Sequence, residues 1–260
     1  MTEEIGDVRV EIDDRADGRV ATVTVDYQAK LNILGRARSE RLRDAFLGLA
    51  GDEELRAVVL TGAGRRAFIG GADITEMVAL EPGSARTFIT TLHEACQAIR
   101  DLPVPVIARI EGYCLGAGLE VAASCDLRVA SERSSFGMPE VRVGLPSVIE
   151  AVLLPSLVGW GRTRELVYTG ENWDAYEAQR AGLLERVVPS DALDAAVERW
   201  LSSILANGPR AVRAQKRLIG QWERLSLDEA IAASIDLFEA TWEDDEPRDA
   251  MRAFLDRPRG

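Results

Sequence analysis

Apolar and polar residues alternate at the start of the chain: Val8, Val10 and Ile12 share one face, and Ala21, Val23 and Val25 alternate with Val20, Thr22 and Thr24. With Asp17-Gly18 between the two runs, this pattern predicts a β-hairpin. The period then changes. Leu42, Ala45, Phe46 and Leu49 recur at helical spacing, with Ser39 expected to cap the helix and Gly51 near its end. Residues 57–61 form a continuous apolar run before Gly62 and Gly64, which suits a strand buried on both faces.

The same reading predicts a helix over 84–101, a buried strand over 103–110, a helix from about Gly118 and a strand over 126–130. A short edge piece at Ser135-Phe136 and a helical run through Leu153 and Leu157 come next, then helices over 162–169 and 175–181 and a last strand over 183–188. Strands alternating with helices imply parallel pairing and right-handed crossovers, hence an α/β fold. After Pro189 the texture becomes purely helical, with amphipathic patterns over 191–206, 209–224, 227–243 and 248–255. Such a terminal layer must cover its own core or a neighbour's. The change divides the chain into a core, residues 1–200, and a C-terminal helical region, residues 201–260, with no long linker between them.

At 260 residues the chain can bury a sizeable core without disulfides. Its three cysteines, Cys96, Cys114 and Cys125, lie in apolar stretches without metal-type spacing, so buried reduced thiols in a cytoplasmic protein are expected, and no metal site. No signal-like segment opens the chain, and no run approaches the ~18–20 apolar residues of a membrane span. The net charge of −12 argues against nucleic acid as a partner, because phosphate binding is driven by Lys and Arg. The sole histidine, His93, lies between Leu92 and Glu94 in a helical stretch and reads as a surface or half-buried side chain. Chemistry therefore falls to carboxylates and backbone dipoles.

Two glycine-punctuated turns supply the dipoles. Ala67-Phe68-Ile69-Gly70-Gly71-Ala72-Asp73-Ile74 and Gly112-Tyr113-Cys114-Leu115-Gly116-Ala117-Gly118-Leu119-Glu120 each run from a β-type segment into a helical pattern. Each can leave free N–H groups at a helix start, and two such ends facing one point make an oxyanion hole. Preorganised donors of this kind contribute roughly 3–4 kcal/mol each to catalysis. The Gly-x-Gly corner lacks a dinucleotide fingerprint, since Val121 stands where its third glycine would be.

Glu120 is a charge in an apolar context, either on an exposed side of its helix or functional. Glu140 follows Pro139 in a stiff loop, either as an ordinary exposed acid or as an aimed one. Two carboxylates at one site push one pKa up, so that one group holds a proton while the other acts as base. Glu150 reads as a solvated helix residue, with a place in the site as the alternative.

These motifs, in this order, resemble the crotonase (enoyl-CoA hydratase/isomerase) superfamily over the full length. The resemblance also rests on Lys30-Leu31-Asn32, Cys125-Asp126-Leu127, Phe136 to Glu140, Gly144-Leu145-Pro146, Tyr168-Thr169-Gly170-Glu171, Ala181-Gly182-Leu183 and Ala253-Phe254-Leu255. It implies a ββα-repeat core whose C-terminal helices serve trimer formation, trimers pairing into hexamers. It implies that the amides of Ala72 and Ala117 bind a thioester oxygen and that Glu120 and Glu140 are the catalytic glutamates of the hydratase branch. Coenzyme A, part of the substrate rather than a separate cofactor, would lie along Lys30, Leu31, Gly71 and Ile74, with Asp73, Gly116, Pro139 and Gly144 in the same surface. Arg65-Arg66, Lys216-Arg217 and Arg257 are candidate cations for its phosphates. Keeping both glutamates favours hydration of a 2-enoyl-CoA over isomerisation or thioester hydrolysis. Some relatives bind RNA, but the acidic chain lacks a basic, aromatic-interleaved face. Where many members have a small-residue run, this chain has Pro146-Ser147-Val148-Ile149-Glu150, which leaves the acyl group open.

Overall fold

The computed structural model describes residues 7–256. Strands β1 (Asp7–Arg15) and β2 (Gly18–Asp26) form the antiparallel hairpin, in register from Asp7 opposite Asp26 to Arg15 opposite Gly18. Helix α1 (Arg36–Leu49) starts three residues before the expected cap. Ser39 is inside it and buried, its hydroxyl donating to Gly35 O at 3.0 Å, and the free Arg36 N–H donates instead to the Glu76 carboxylate at 3.0 Å. The cap is thus supplied by a distant segment.

From here the chain builds in pairs of strands. β3 (Leu55–Gly62) is followed by β4 (Ala67–Ile69), the one-turn α2 (Ile74–Met77) and the long α3 (Pro82–Asp101). β5 (Val106–Ile110) leads to β6 (Tyr113–Leu115) and α4 (Ala117–Ala123), then β7 (Leu127–Ser131) to β8 (Ser135–Gly137). Helix α5 (Leu154–Thr169) joins two predicted helical runs across a break at Gly159, and β9 (Asn172–Asp174), α6 (Ala175–Ala181) and β10 (Arg186–Val188) complete the core. Residues 103–105 and 183–185, expected within strands, lie outside them, because prolines at 103 and 105 withhold two ladder donors and 183–185 leave the α6 C-terminus through Gly182.

The strands divide between two sheets. One runs β1-β2-β3-β5-β7-β10, parallel except for the hairpin, and the other runs β4-β6-β8-β9 with only β9 antiparallel. Ser135-Phe136 therefore belongs to an interior strand, between β6 and β9, and not to an edge. The steps β3 to β4, β5 to β6 and β7 to β8 each carry the chain from the first sheet to the second, which is the repeat implied by the family resemblance.

Strands β2, β3, β5 and β7 of the first sheet are covered on both sides, which explains their apolar runs, while β1 at the edge is largely exposed. In β3, Val58 and Leu60 join the main core with Phe46, Leu92 and Phe136, while Ala57 and Val59 face a second core built on α7 (Leu193–Leu205) through Leu193, Val197 and Leu201. Beyond α7 lie α8 (Pro209–Trp222), α9 (Leu227–Ala240) and α10 (Glu246–Leu255). Helix α9 leaves Leu227, Ile231, Ile235 and Phe238 exposed on one stripe. All three cysteines are buried and free. Among the described residues, no helix is long and apolar enough to cross a membrane.

Candidate active site

The first glycine turn leaves β4 and is pinned by backbone bonds on either side of Ala72. Gly70 N–H donates to Leu31 O at 2.8 Å, Leu34 N–H to Gly71 O at 2.9 Å and Asp73 N–H to Leu34 O at 2.9 Å. Asp73 then caps α2, its Oδ1 accepting from Thr75 N–H at 3.0 Å, while Arg38 holds Oδ2. The turn rests on a segment with two left-handed non-glycine residues, Leu31 and Asn32. Buried Asn32 justifies that conformation by donating to Ala67 O at 2.8 Å and accepting from Tyr27 N–H at 2.8 Å.

The second turn leaves β6, the parallel neighbour of β4, at the same end of the sheet. Gly116 has φ 50° and ψ −119°, a conformation that a side chain disfavours, and donates to Gly137 O at 2.9 Å. Gly118 lets α4 press on the end of β4: a Cβ there would sit 2.1 Å from Ile69 O. The two corners are thus in direct contact. Among the described residues, the turn and cap hydrogen bonds engage the neighbours of Ala72 and Ala117 but not the amides of these two residues.

Every residue of α4 is buried, and Glu120 is its only charge. Its Oε1 accepts from Ala151 N–H at 3.2 Å. Burial pushes the Glu120 pKa up to about 8, the Glu140 charge adds to the rise, the Ala151 bond opposes it and Glu150 adds further. The reading of Glu120 as an exposed helix residue is therefore excluded. Glu140 is carried by a short 3-10 turn, Pro139–Val143, that closes at left-handed Gly144. Its Oε2 accepts from Ser147 Oγ at 2.8 Å, and its Oε1 occupies the space a Cβ on Gly116 would take, 2.4 Å away. Both glutamates therefore sit against the second corner. The loop that carries Glu140 exposes Val141, Val143, Leu145 and Val148, an apolar rim.

Glu150 departs from the expectation of a solvated residue. It is 2% exposed, on the 3-10 turn Ile149–Leu153, and its Oε1 lies 2.8 Å from His93 Nδ1. It belongs to a 3-10 turn that begins at left-handed Ile149, and not to the solvated face of a helix. His93 is half-exposed, as expected.

Of the residues implied for coenzyme A, Leu31 and Gly71 border the first corner, Ile74 is exposed beside it and Lys30 is exposed near the Tyr27 ring. Arg65 and Arg66 are exposed. Lys216 and Arg217 are elsewhere: they line a cavity of about 680 Å³ between the end of α3 and α8 and α9, with neither Glu120 nor Glu140 in its wall. Lys216 is already engaged there by Asp126. Arg257 lies outside the described residues. Among the described residues, no cluster of His, Cys, Asp and Glu is placed to hold a metal ion.

The family model for enoyl-CoA hydratase/isomerase matches residues 15–259. The chain is 35% identical over 243 residues to the short-chain-enoyl-CoA hydratase of Clostridium acetobutylicum, with 93% of each covered. It is 31% identical over 240 residues to the crotonyl-CoA hydratase of Syntrophomonas wolfei, with 92% of each covered. The solved enoyl-CoA hydratase of Mycobacterium smegmatis is similar with a TM-score of 0.91 at 33% identity, covering 96% of this chain and 98% of that one.

Proposed function

This chain belongs to the enoyl-CoA hydratase/isomerase family, the crotonase superfamily of coenzyme A thioester enzymes, and from that premise we propose that it hydrates a 2-enoyl-CoA to the 3-hydroxyacyl-CoA. The observation that carries the reading is the pair of carboxylates, Glu120 and Glu140, gathered at the corner that also presents the Ala117 amide. Isomerisation or thioester hydrolysis needs one acid there. Addition of water across a double bond uses two, one to draw a proton from the water and one to supply a proton to carbon.

The thioester oxygen accepts hydrogen bonds from the Ala72 and Ala117 amides. As hydroxide adds to Cβ, electrons move through Cα toward that oxygen and an enolate forms. Amides fixed by the surrounding turn bonds stabilise this charge without reorganising, so their contribution falls on the transition state rather than on binding alone. The glutamate pair holds one proton at rest, sited on buried Glu120 with its pKa of about 8. One proton leaves the water for the pair and one passes from the pair to Cα, so the pair ends with the count it began with. Ser147 orients Glu140 through its 2.8 Å bond.

The experiment is incubation with crotonyl-CoA and longer 2-enoyl-CoAs in water labelled with heavy oxygen. Loss of conjugated thioester absorbance, with one labelled oxygen appearing in the product, is the expected result. Turnover of a 3-enoyl-CoA without label uptake would replace hydration by isomerisation.

The apolar stripe on α9 supports self-association, because four large apolar side chains on one face favour association over exposure, and the family resemblance makes the assembly a homotrimer or a hexamer of paired trimers. Light scattering is expected to give three or six times the 28.4 kDa chain mass. A monomer at micromolar concentration would contradict it.

A further inference from the structure

Two costs in the Ile149–Leu153 turn have no structural return. Glu150 is buried more deeply than Glu120 or the partly exposed Glu140, and its Oε2 has no hydrogen-bond partner among the described residues. Burying a carboxylate with one oxygen unpaired is unfavourable by several kcal/mol. Ile149 has φ 41°, a left-handed conformation that a β-branched residue adopts only under constraint. Strain and an orphaned polar atom on adjacent residues mark a functional element more often than a packing one.

The surroundings indicate its use. The residue after Glu150, Ala151, donates its N–H to Glu120 Oε1 at 3.2 Å, so one turn delivers to Glu120 both a donor and a neighbouring carboxylate. Helix α3 brings His93 against Glu150 Oε1 at 2.8 Å and places Cys96 within electrostatic reach of Glu150 and Glu120. The Pro139–Val143 turn places Glu140 where its charge also acts on Glu120. His93 is about half-exposed, so the Glu150 carboxylate has one contact with a solvent-facing group and one oxygen directed into the protein.

We propose that Glu150, held by His93, is a third functional carboxylate: a positioning residue that acts on Glu120 through its charge and through the Ala151 N–H that its own turn donates to Glu120. The proposal rests on Glu120 and Glu140 being the reacting acids. Burial and the Glu140 charge raise the Glu120 pKa most; on top of them the Ala151 donor favours ionised Glu120 and the Glu150 charge opposes it, so the turn adjusts how firmly Glu120 keeps its proton before substrate arrives.

The test separates charge from packing. Glutamine at 150 keeps the shape and removes the charge, and it sheds a buried carboxylate, so the fold is retained; aspartate keeps the charge and loses a methylene. Chemical unfolding is measured from about pH 5 to 9 for the chain and for its Glu120→Gln form, and their difference locates the Glu120 titration without reference to catalysis. The expected result is a downward shift of that midpoint in Glu150→Gln, smaller than the rise that burial and Glu140 impose, with the alkaline limb of kcat moving with it and KM within about twofold. Glu150→Asp is expected to stay closer to the wild-type midpoint than Glu150→Gln. The reverse order, or a midpoint unmoved by Glu150→Gln, would overturn the proposal, as would a chain without a raised Glu120 titration. Normal midpoints in a protein that does not hydrate any enoyl-CoA would instead overturn the reaction and leave the electrostatic role standing.

Discussion

Glu120→Gln is expected to lose turnover by about 10²–10⁴-fold and at the same time to stabilise the fold. The first effect follows because glutamine cannot hold or deliver the proton that the hydration requires. The second follows from the direction of the pKa shift. Folding raises the Glu120 pKa from 4.5 to about 8, so between these values the native state binds a proton that the unfolded chain has released. Native stability therefore falls as pH rises through this window, and the cost is complete above about pH 8. Glutamine carries no such cost. The variant and the wild type should be equally stable near pH 4.5, and the variant should be ahead by about 3–5 kcal/mol at pH 9. Chemical denaturation across the range checks this. A stability difference that is flat with pH would contradict the raised pKa, and turnover within a few-fold of wild type would remove Glu120 from the reaction.

Gly116→Ala is expected to cost at least about 100-fold in turnover while the protein still folds. Two separate constraints meet at this residue. Its φ of 50° and ψ of −119° are strained for any side chain, and a Cβ would lie 2.4 Å from Glu140 Oε1. The carboxylate must move by about an ångström, and a misplacement of that size in a reacting group is sufficient for the loss. The Ala117 amide, one peptide away, turns with it. Gly159→Ala is the comparison: its φ of 76° imposes the same kind of backbone strain, with no neighbour within 4 Å of the added carbon. Both variants should lose about 1–3 kcal/mol of stability, and only Gly116→Ala should lose kcat. Equal kcat losses would mean that general strain, and not the position of Glu140, accounts for the defect.

What the sequence made legible follows from how local each signal is. Glu120 stood out because a carboxylate in a run of Leu, Val and Ala contradicts its surroundings, and α4 is indeed buried at every residue. Glu140 was marked by the proline before it. The first sheet was readable from its long apolar runs, with β3 supplying two cores at once. The second sheet was not, because strands of three residues such as β4, β6, β8 and β9 are too short for alternation to register. The start of α1 was misplaced because its cap comes from Glu76, forty positions away. Glu150 was read as a solvated helix residue, and no pattern of hydrophobicity announces the left-handed backbone of Ile149 just before it. These misses share one cause, a tertiary contact or a backbone reversal that overrides the local preference.

The most direct measurement of the central claim is a crystal structure with an acyl-CoA bound. The thioester oxygen is expected about 2.7–3.1 Å from the amide nitrogens of both Ala72 and Ala117, with Cβ facing the glutamates. A thioester oxygen bound by neither amide, or an acyl chain directed away from Glu120 and Glu140, would contradict it.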